Sequence, residues 1–342
     1  MRPQVLRDEA HQQPPYARQT SPAIAAAAPP KPAAAWRRWA GHAFGVALLL
    51  VVGWFVVERA RKIDWDAVGQ ALLGYPFTTL LAALALATLS HAVYGSYDLL
   101  ARRYLGHSVP PLKVLGVGLV SYAVNLNLGS IVGGIGFRWR LYSKLGLDVG
   151  QTGRIFAFSL ITNWSGYVVL AGLLLASGSF EPPPLLRLDP SLWQGLGVLL
   201  LILVALYVLW CELGRTRQLK LPWVKIDLPS ARVAAAQIAL SMLHWTLIGA
   251  VIWMLLPREL PYPTVLGTLL TAAVAGAVIH VPGGLGVIEA VFVATLGHRV
   301  PEGALIAALL AYRACFYLLP LAGAVGLHLA LEAHARKHPQ AK

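Results

Sequence analysis

What most restricts this chain is a set of apolar runs, each about as long as a bilayer is thick. A helix needs roughly 20 apolar residues to cross the hydrocarbon core. Trp39–Val57, Pro76–Leu100, Ile155–Ser177, Leu192–Cys211, Ala231–Leu256 and Ala304–Leu331 meet that length, and Leu112–Gly136 and Pro263–Gly297 are apolar but interrupted by glycine. Lipid cannot hydrogen-bond a bare backbone, so runs of this length must be helical. The expected fold class is therefore all-α, a polytopic membrane helical bundle. Charged residues make up 13% of the chain, against 57% apolar, where soluble domains carry about a quarter charged. That balance excludes a soluble enzyme, a nucleic-acid reader and a disordered scaffold.

Residues 1–35 are rich in Pro and Ala with no helical period, and are expected to be a disordered tail. Residues 36–332 form the membrane domain, and 333–342 a short basic tail. Trp54-Phe55-Val56-Val57-Glu58 offers no small-residue cleavage site, so the first run is taken as an uncleaved helix.

The basic residues fix the expected orientation. If both interrupted segments crossed once, the loop holding Arg138, Arg140 and Lys144 would face away from the loop holding Arg102, Arg103 and Lys113. If each enters and returns to its own side, 21 of the 28 Lys and Arg collect in one compartment, together with both termini. Lys and Arg excess marks the cytoplasm, so both termini are expected there and the net charge of +13 is first a topology signal.

The interrupted segments also resemble each other. One runs Val114-Leu115-Gly116, Ala123-Val124, Gly133-Gly134-Ile135-Gly136, and the other Val265-Leu266-Gly267, Ala273-Val274, Gly283-Gly284-Leu285-Gly286. Two opposed re-entrant, Gly-broken hairpins in an inverted-topology repeat are the expectation, and such paired breaks point to a transport site.

Polar residues at the breaks are the candidate site. Glu289 sits one turn after Gly283-Gly284 in an apolar run; it is read as a proton-coupling group or a contact to a cationic headgroup, or as an ion-pair partner of Arg313. Arg138 and Arg140 are read as phosphate ligands, with snorkelling anchors as the plainer alternative. Their i, i+2 spacing does not share one helix face. Asn125, Asn127 and Ser130, with Gly133 and Gly134, line the first break, or bond neighbouring helices. His280, Pro282, Gly283, Gly284 and Gly286 form the second. His91, Tyr94 and Asp98 share a helix face, with Asp98 solvating the helix end. His244-Trp245 and Asn163-Trp164 read as packing or interface anchors. The histidines are dispersed and Cys211 and Cys315 stand apart, so no metal or disulfide pattern emerges. No nucleophile elbow, phosphate loop or dinucleotide fingerprint is present, and no cofactor is expected.

The stretch from Gly129 through Arg138-Trp139-Arg140-Leu141-Tyr142 to Gly146, and the run Val281-Pro282-Gly283-Gly284-Leu285-Gly286-Val287-Ile288-Glu289, resemble two signatures of one family. It is the lysylphosphatidylglycerol synthase/flippase transmembrane region, and in particular its stand-alone, YbhN-like inner-membrane members. The resemblance spans roughly residues 40–330. The long N-terminal tail is no part of the pattern, and the eleven residues after Leu331 leave no room for the soluble synthase domain of bifunctional members.

The resemblance implies lipid translocation rather than aminoacylation: a flippase-like protein of the bacterial cytoplasmic (inner) membrane, not an enzyme. It would move an anionic or modified phospholipid between leaflets. Phospholipid and membrane are the expected partners, with a lipid-synthesis enzyme or a second copy of the chain as further ones. The alternatives are a membrane-embedded lipid-modifying transferase, with His280 and Glu289 as acid and base, and a non-transporting partner of a lipid synthase.

Overall fold

In a computed structural model the described residues are 61, 65–180, 189–214, 218–220, 225–279 and 282–326. The expected first span Trp39–Val57, the tails at 1–35 and 333–342, and His280 lie outside them. The elements are α1 (Trp65–Leu73), α2 (Phe77–Leu105), α3 (Pro111–Gly129), a π-helical stretch (Ser130–Phe137), α4 (Arg138–Ser143), α5 (Val149–Ala176) and α6 (Pro190–Leu213). After a two-stranded hairpin, β1 (Gln218–Lys220) and β2 (Lys225–Asp227), come α7 (Ala231–Leu255), α8 (Tyr262–Ile279), a 3-10 turn (Pro282–Gly284), α9 (Val287–Leu296) and α10 (Glu302–Arg313). A second π-helical stretch (Ala314–Leu318) carries the last helix on, so that Glu302–Gly326 forms one span-length unit.

Among the described residues, seven helices are long and apolar enough to cross a membrane. Their ends follow local sequence. Asp148 caps α5 by accepting from the Gln151 amide at 2.7 Å, and the Gln151 side chain accepts in return from the Asp148 amide. Ser230 caps α7, and Asp189 caps α6 with Pro190 at its first position. Such pairs satisfy helix-end donors. The all-α bundle carries one small excursion, the hairpin β1–β2 of three residues a side. It lies in the basic 212–232 loop, where Leu219 pairs opposite Ile226, an alternation too short to read as a strand in advance.

Both broken segments double back. Gly129 has φ +84°, open to glycine but strained for other residues. Beyond it the chain folds against α3: a Cβ on Gly134 would stand 3.2 Å from the Asn125 Oδ1 atom nine residues earlier. Those residues would lie about 13 Å apart along a straight helix. The return reaches Asp98 on α2, near the loop from which α3 set out. In the second segment α9 returns along α8, after positive φ at Gly283, Gly284 and Gly286.

The order long helix, helix to a break, short return, long helix thus occurs twice, as α2–α3–α4–α5 and α7–α8–α9–α10. The leading helices α2 and α7 pack antiparallel: Tyr75, just before α2, donates to the Leu255 carbonyl, and Ser90 meets His244. The two units therefore run in opposite directions. Their core is a large cluster joining α2, α7, α8, α9 and α10, with a smaller one around Val114, Tyr142, Ile155 and Phe158. Close approach of α5 and α7 depends on Gly166, where a Cβ would stand 2.6 Å from the Ser241 Cβ.

Candidate functional site

The tips of the two doubled-back segments meet. A Cβ on Gly283 would stand 3.3 Å from the Leu126 carbonyl and 3.8 Å from that of Asn127. Asn127 Nδ2 donates to Ala123 O at 2.8 Å and to Tyr317 O at 3.3 Å, tying the first tip to the π-helical stretch after Arg313. Asn125 Oδ1 is buried without a hydrogen-bond partner. Ser130 and Gly133 lie on the first π-helical stretch and Pro282 on the 3-10 turn.

Arg313 and Glu289 hold the second tip. Arg313 Nε donates to Glu289 Oε1 at 2.6 Å and Nη2 to Oε2 at 3.1 Å. Nη1 and Nη2 also donate to the Gly283 and Gly284 carbonyls, at 2.9 and 3.0 Å. Glu289 Oε2 accepts from the Gly286 amide at 3.0 Å, capping α9. One guanidinium thus satisfies carbonyls that leave helical pairing at the break, the cost that unwound backbone otherwise carries in lipid. The pair is only partly enclosed, with side-chain exposures of 12% for Arg313 and 19% for Glu289.

Arg138 corrects the sequence reading. It does not face a headgroup: its side chain is 1% exposed. Its Nε and Nη2 donate to Asp98 Oδ2 and Oδ1, both at 3.1 Å. Asp98 accepts further from the Tyr142 hydroxyl at 2.9 Å and from Ser159 Oγ at 2.8 Å. Four donors around one carboxylate clamp the first return leg onto α2 and α5. Arg140, two residues on, is exposed, as the i, i+2 spacing required. Asp98 also does not merely solvate a helix end; it is wholly buried. Each return leg is thus fixed by an ion pair to a long helix, with the cation on the leg in one unit and the acid on the leg in the other.

A second polar node escaped the sequence reading. His244 accepts from the Tyr122 hydroxyl through Nε2 at 3.0 Å, and its Nδ1 lies 2.9 Å from Ser90 Oγ. Beside it, the His91 ring packs against Tyr122 and Phe316, at centroid distances of 4.9 and 4.8 Å, and those two rings meet at 6.5 Å. Trp245 and Ser241 both donate to the Asn163 carbonyl, at 3.0 and 2.6 Å, so the expected anchors are interhelical bonds. Among the described residues no group of three or more His, Cys, Asp or Glu could hold a metal ion.

An apolar cavity of about 390 Å³ opens between the start of α2 and the last helix, lined by Leu72, Tyr75, Phe77 and Leu84 on one side and Ala311, Ala314 and Cys315 on the other. It flanks the helix that carries Arg313.

The profile of the lysylphosphatidylglycerol synthase transmembrane region matches residues 42–324. The chain belongs to that family. A relative, inner membrane protein YbhN of Escherichia coli (strain K12), is 42% identical over 283 residues, covering 82% of this chain and 89% of its own length. An uncharacterized protein of Synechocystis sp. is 30% identical over 292 residues, 82% of this chain and 88% of that one. A phosphatidylglycerol lysyltransferase of Staphylococcus haemolyticus is 23% identical over 272 residues, 78% of this chain but 29% of the transferase. Membership in the lysylphosphatidylglycerol synthase transmembrane-region family fits a helical bundle built for the bilayer.

Proposed function

We propose that this family member is a lipid translocase of the bacterial cytoplasmic (inner) membrane, with both termini cytoplasmic, and acts as a transporter rather than an enzyme. The two doubled-back segments are re-entrant hairpins that dip from opposite faces. Their meeting point is the headgroup site. The observation that carries this reading is the Glu289–Arg313 pair, partly accessible and seated where Gly283 touches the Leu126 carbonyl.

The chemistry follows from exchange. A guanidinium bonds phosphate as well as carboxylate, so a headgroup phosphate can take the place of Glu289 on Arg313 at little net cost. The released carboxylate then receives a cationic headgroup group or a proton. Asp98–Arg138 is unsuited to such exchange, because it is enclosed and stripping one partner leaves a buried charge. The acyl tails stay in lipid, and the apolar cavity beside Ala311, Ala314 and Cys315 receives one of them. Arg140 and the other cytoplasmic cations hold anionic headgroups at the surface. The bacterial relative named as an inner membrane protein and the skew of Lys and Arg support the location and orientation.

The test is translocation of labelled phospholipid by purified protein in liposomes. Arg313→Gln and Glu289→Gln are expected to slow it about tenfold or more, the equivalent of ~1.4 kcal/mol or more of barrier, while both variants stay folded. Unchanged rates in both would remove the site. A covalent product formed from lipid and a donor would replace transport with catalysis. Co-purification of a lipid synthase, with no translocation by the chain alone, would replace it with a presenting role.

A further inference from the structure

We propose that His91 is a proton-binding site at the centre of the bundle, and that its protonation drives the two tips apart. His91 is 4% exposed. Its Nδ1 lies 2.8 Å from the Ala87 carbonyl; a carbonyl only accepts, so the proton sits on Nδ1. That leaves Nε2 as a bare lone pair, buried and without a hydrogen-bond partner. Buried polar atoms are nearly always paired, and an unpaired one calls for a role. An unpartnered imidazole nitrogen is a vacant base, and intramembrane histidines recur in proton relays.

The surroundings suit a proton rather than a metal. The ring packs against both Tyr122 of α3 and Phe316 of the π-helical stretch, two rings that also meet each other edge-on at 6.5 Å. Both His91 contacts are tilted, with ring centroids inside the distance at which an aromatic ring attracts a cation. The titratable and charged neighbours come from each packed element. Tyr122 of α3 touches the ring; Tyr94 of α2 and His244 of α7 pack on Tyr122, and Tyr312 and Tyr317 of the last helix pack on Phe316. The charged groups on these elements are Asp98, two turns on along α2, and Arg313 on the last helix. Both acids of this neighbourhood are committed, Asp98 to Arg138 and Glu289 to Arg313. A proton on His91 is therefore not neutralised by a waiting carboxylate, and the surroundings must rearrange.

The means of rearrangement is Tyr122. In the neutral state its hydroxyl donates to His244 Nε2 at 3.0 Å, because His244 Nδ1 faces the Ser90 carbonyl at 3.1 Å and holds the ring proton there. A proton taken from water onto His91 Nε2 makes that nitrogen a donor seeking an oxygen, and the oxygen of Tyr122 is on the neighbouring ring. Tyr122 lies one turn before Leu126, whose carbonyl abuts Gly283. Phe316 adjoins Tyr317, whose carbonyl accepts from Asn127. Both rings that grip His91 thus belong to segments that hold the tips together.

Coupling to transport rests on the translocase reading; proton binding does not, so two measurements separate them. The full chain is reconstituted in phosphatidylglycerol–phosphatidylethanolamine vesicles. Histidine-selective ¹⁵N NMR between about pH 4 and 8 is expected to show, among the signals of the ten histidines, a reversibly titrating resonance that is absent from His91→Gln. Translocation of labelled phospholipid, at equal pH on both faces, is expected to rise about tenfold per unit fall in pH on the limiting limb. In His91→Gln the rate becomes flat with pH. A titrating His91 without any lipid movement leaves the proton site standing and removes the translocase. No titration of His91, or an undiminished pH slope in a folded His91→Gln, overturns the proposal.

Discussion

Removing Arg138 separates a clamp from a substrate ligand. The Asp98 carboxylate is wholly buried and accepts from Arg138 twice, from Tyr142 and from Ser159. Arg138→Gln deletes the countercharge and leaves the acid enclosed. Breaking a buried pair in this way costs about 3–5 kcal/mol. Asp98→Asn alone strands the guanidinium, and a cost in the same range is expected. The double variant Asp98→Asn/Arg138→Gln leaves two neutral amides with Tyr142 and Ser159 still in reach. Its cost is therefore expected to fall well short of the sum of the single changes, a coupling of about 2 kcal/mol or more. Unfolding free energies of purified protein in bicelles, by steric trapping, supply the cycle. The double variant is also expected to recover part of the lipid movement lost in Arg138→Gln. Near-neutral stability of Arg138→Gln together with abolished phospholipid binding would refute the argument, because it would make Arg138 the free headgroup cation.

Further expectations concern the tips and the surface. Gly283→Ala places a Cβ at φ +65°, which costs ~1–2 kcal/mol before its contact with the Leu126 carbonyl is counted; equilibrium unfolding measures it, and no loss would mean that the turn is relaxed in the membrane. Asn127→Ala removes the bonds to Ala123 and Tyr317, and is expected to raise hydrogen exchange at 314–318 in mass spectrometry. Arg140→Ala, being exposed, is expected to leave stability within about 0.5 kcal/mol, while weakening retention of anionic lipid in native mass spectrometry.

Much of the architecture was legible because lipid imposes few options. Apolar length gave the spans that fall within the described residues. The skew of Lys and Arg pointed to two segments that turn back, and Gly129 and Gly283 take positive φ within them. Glu289 and Arg313 could be matched because two lone charges in apolar runs need each other. Arg138 could not be placed in the same way. Its partner lies 40 residues earlier, on a helix face shared with His91 and Tyr94, and no periodicity links the two. The clue was available indirectly: once the first segment returns, Arg138 comes back to the end of α2 where Asp98 sits. The His244–Tyr122–Ser90 node joins the consecutive helices α2 and α3 to α7, with pairs 154 and 122 residues apart, and only α2–α7 packing brings it about. The strand pair β1–β2 rests on three residues a side, too few to register as a pattern.

The central claim, that two dips enter from opposite faces, is tested most directly by one-sided cysteine labelling in intact cells. In a chain with Cys211 and Cys315 replaced, single cysteines stand at His107, Lys144, Glu259 and Arg299. With opposed hairpins, His107 and Lys144 react only after the inner membrane is permeabilised, and Glu259 and Arg299 react from outside without it. Labelling of His107 and Lys144 from opposite faces would mean that the first segment crosses, and the opposed hairpins would be lost.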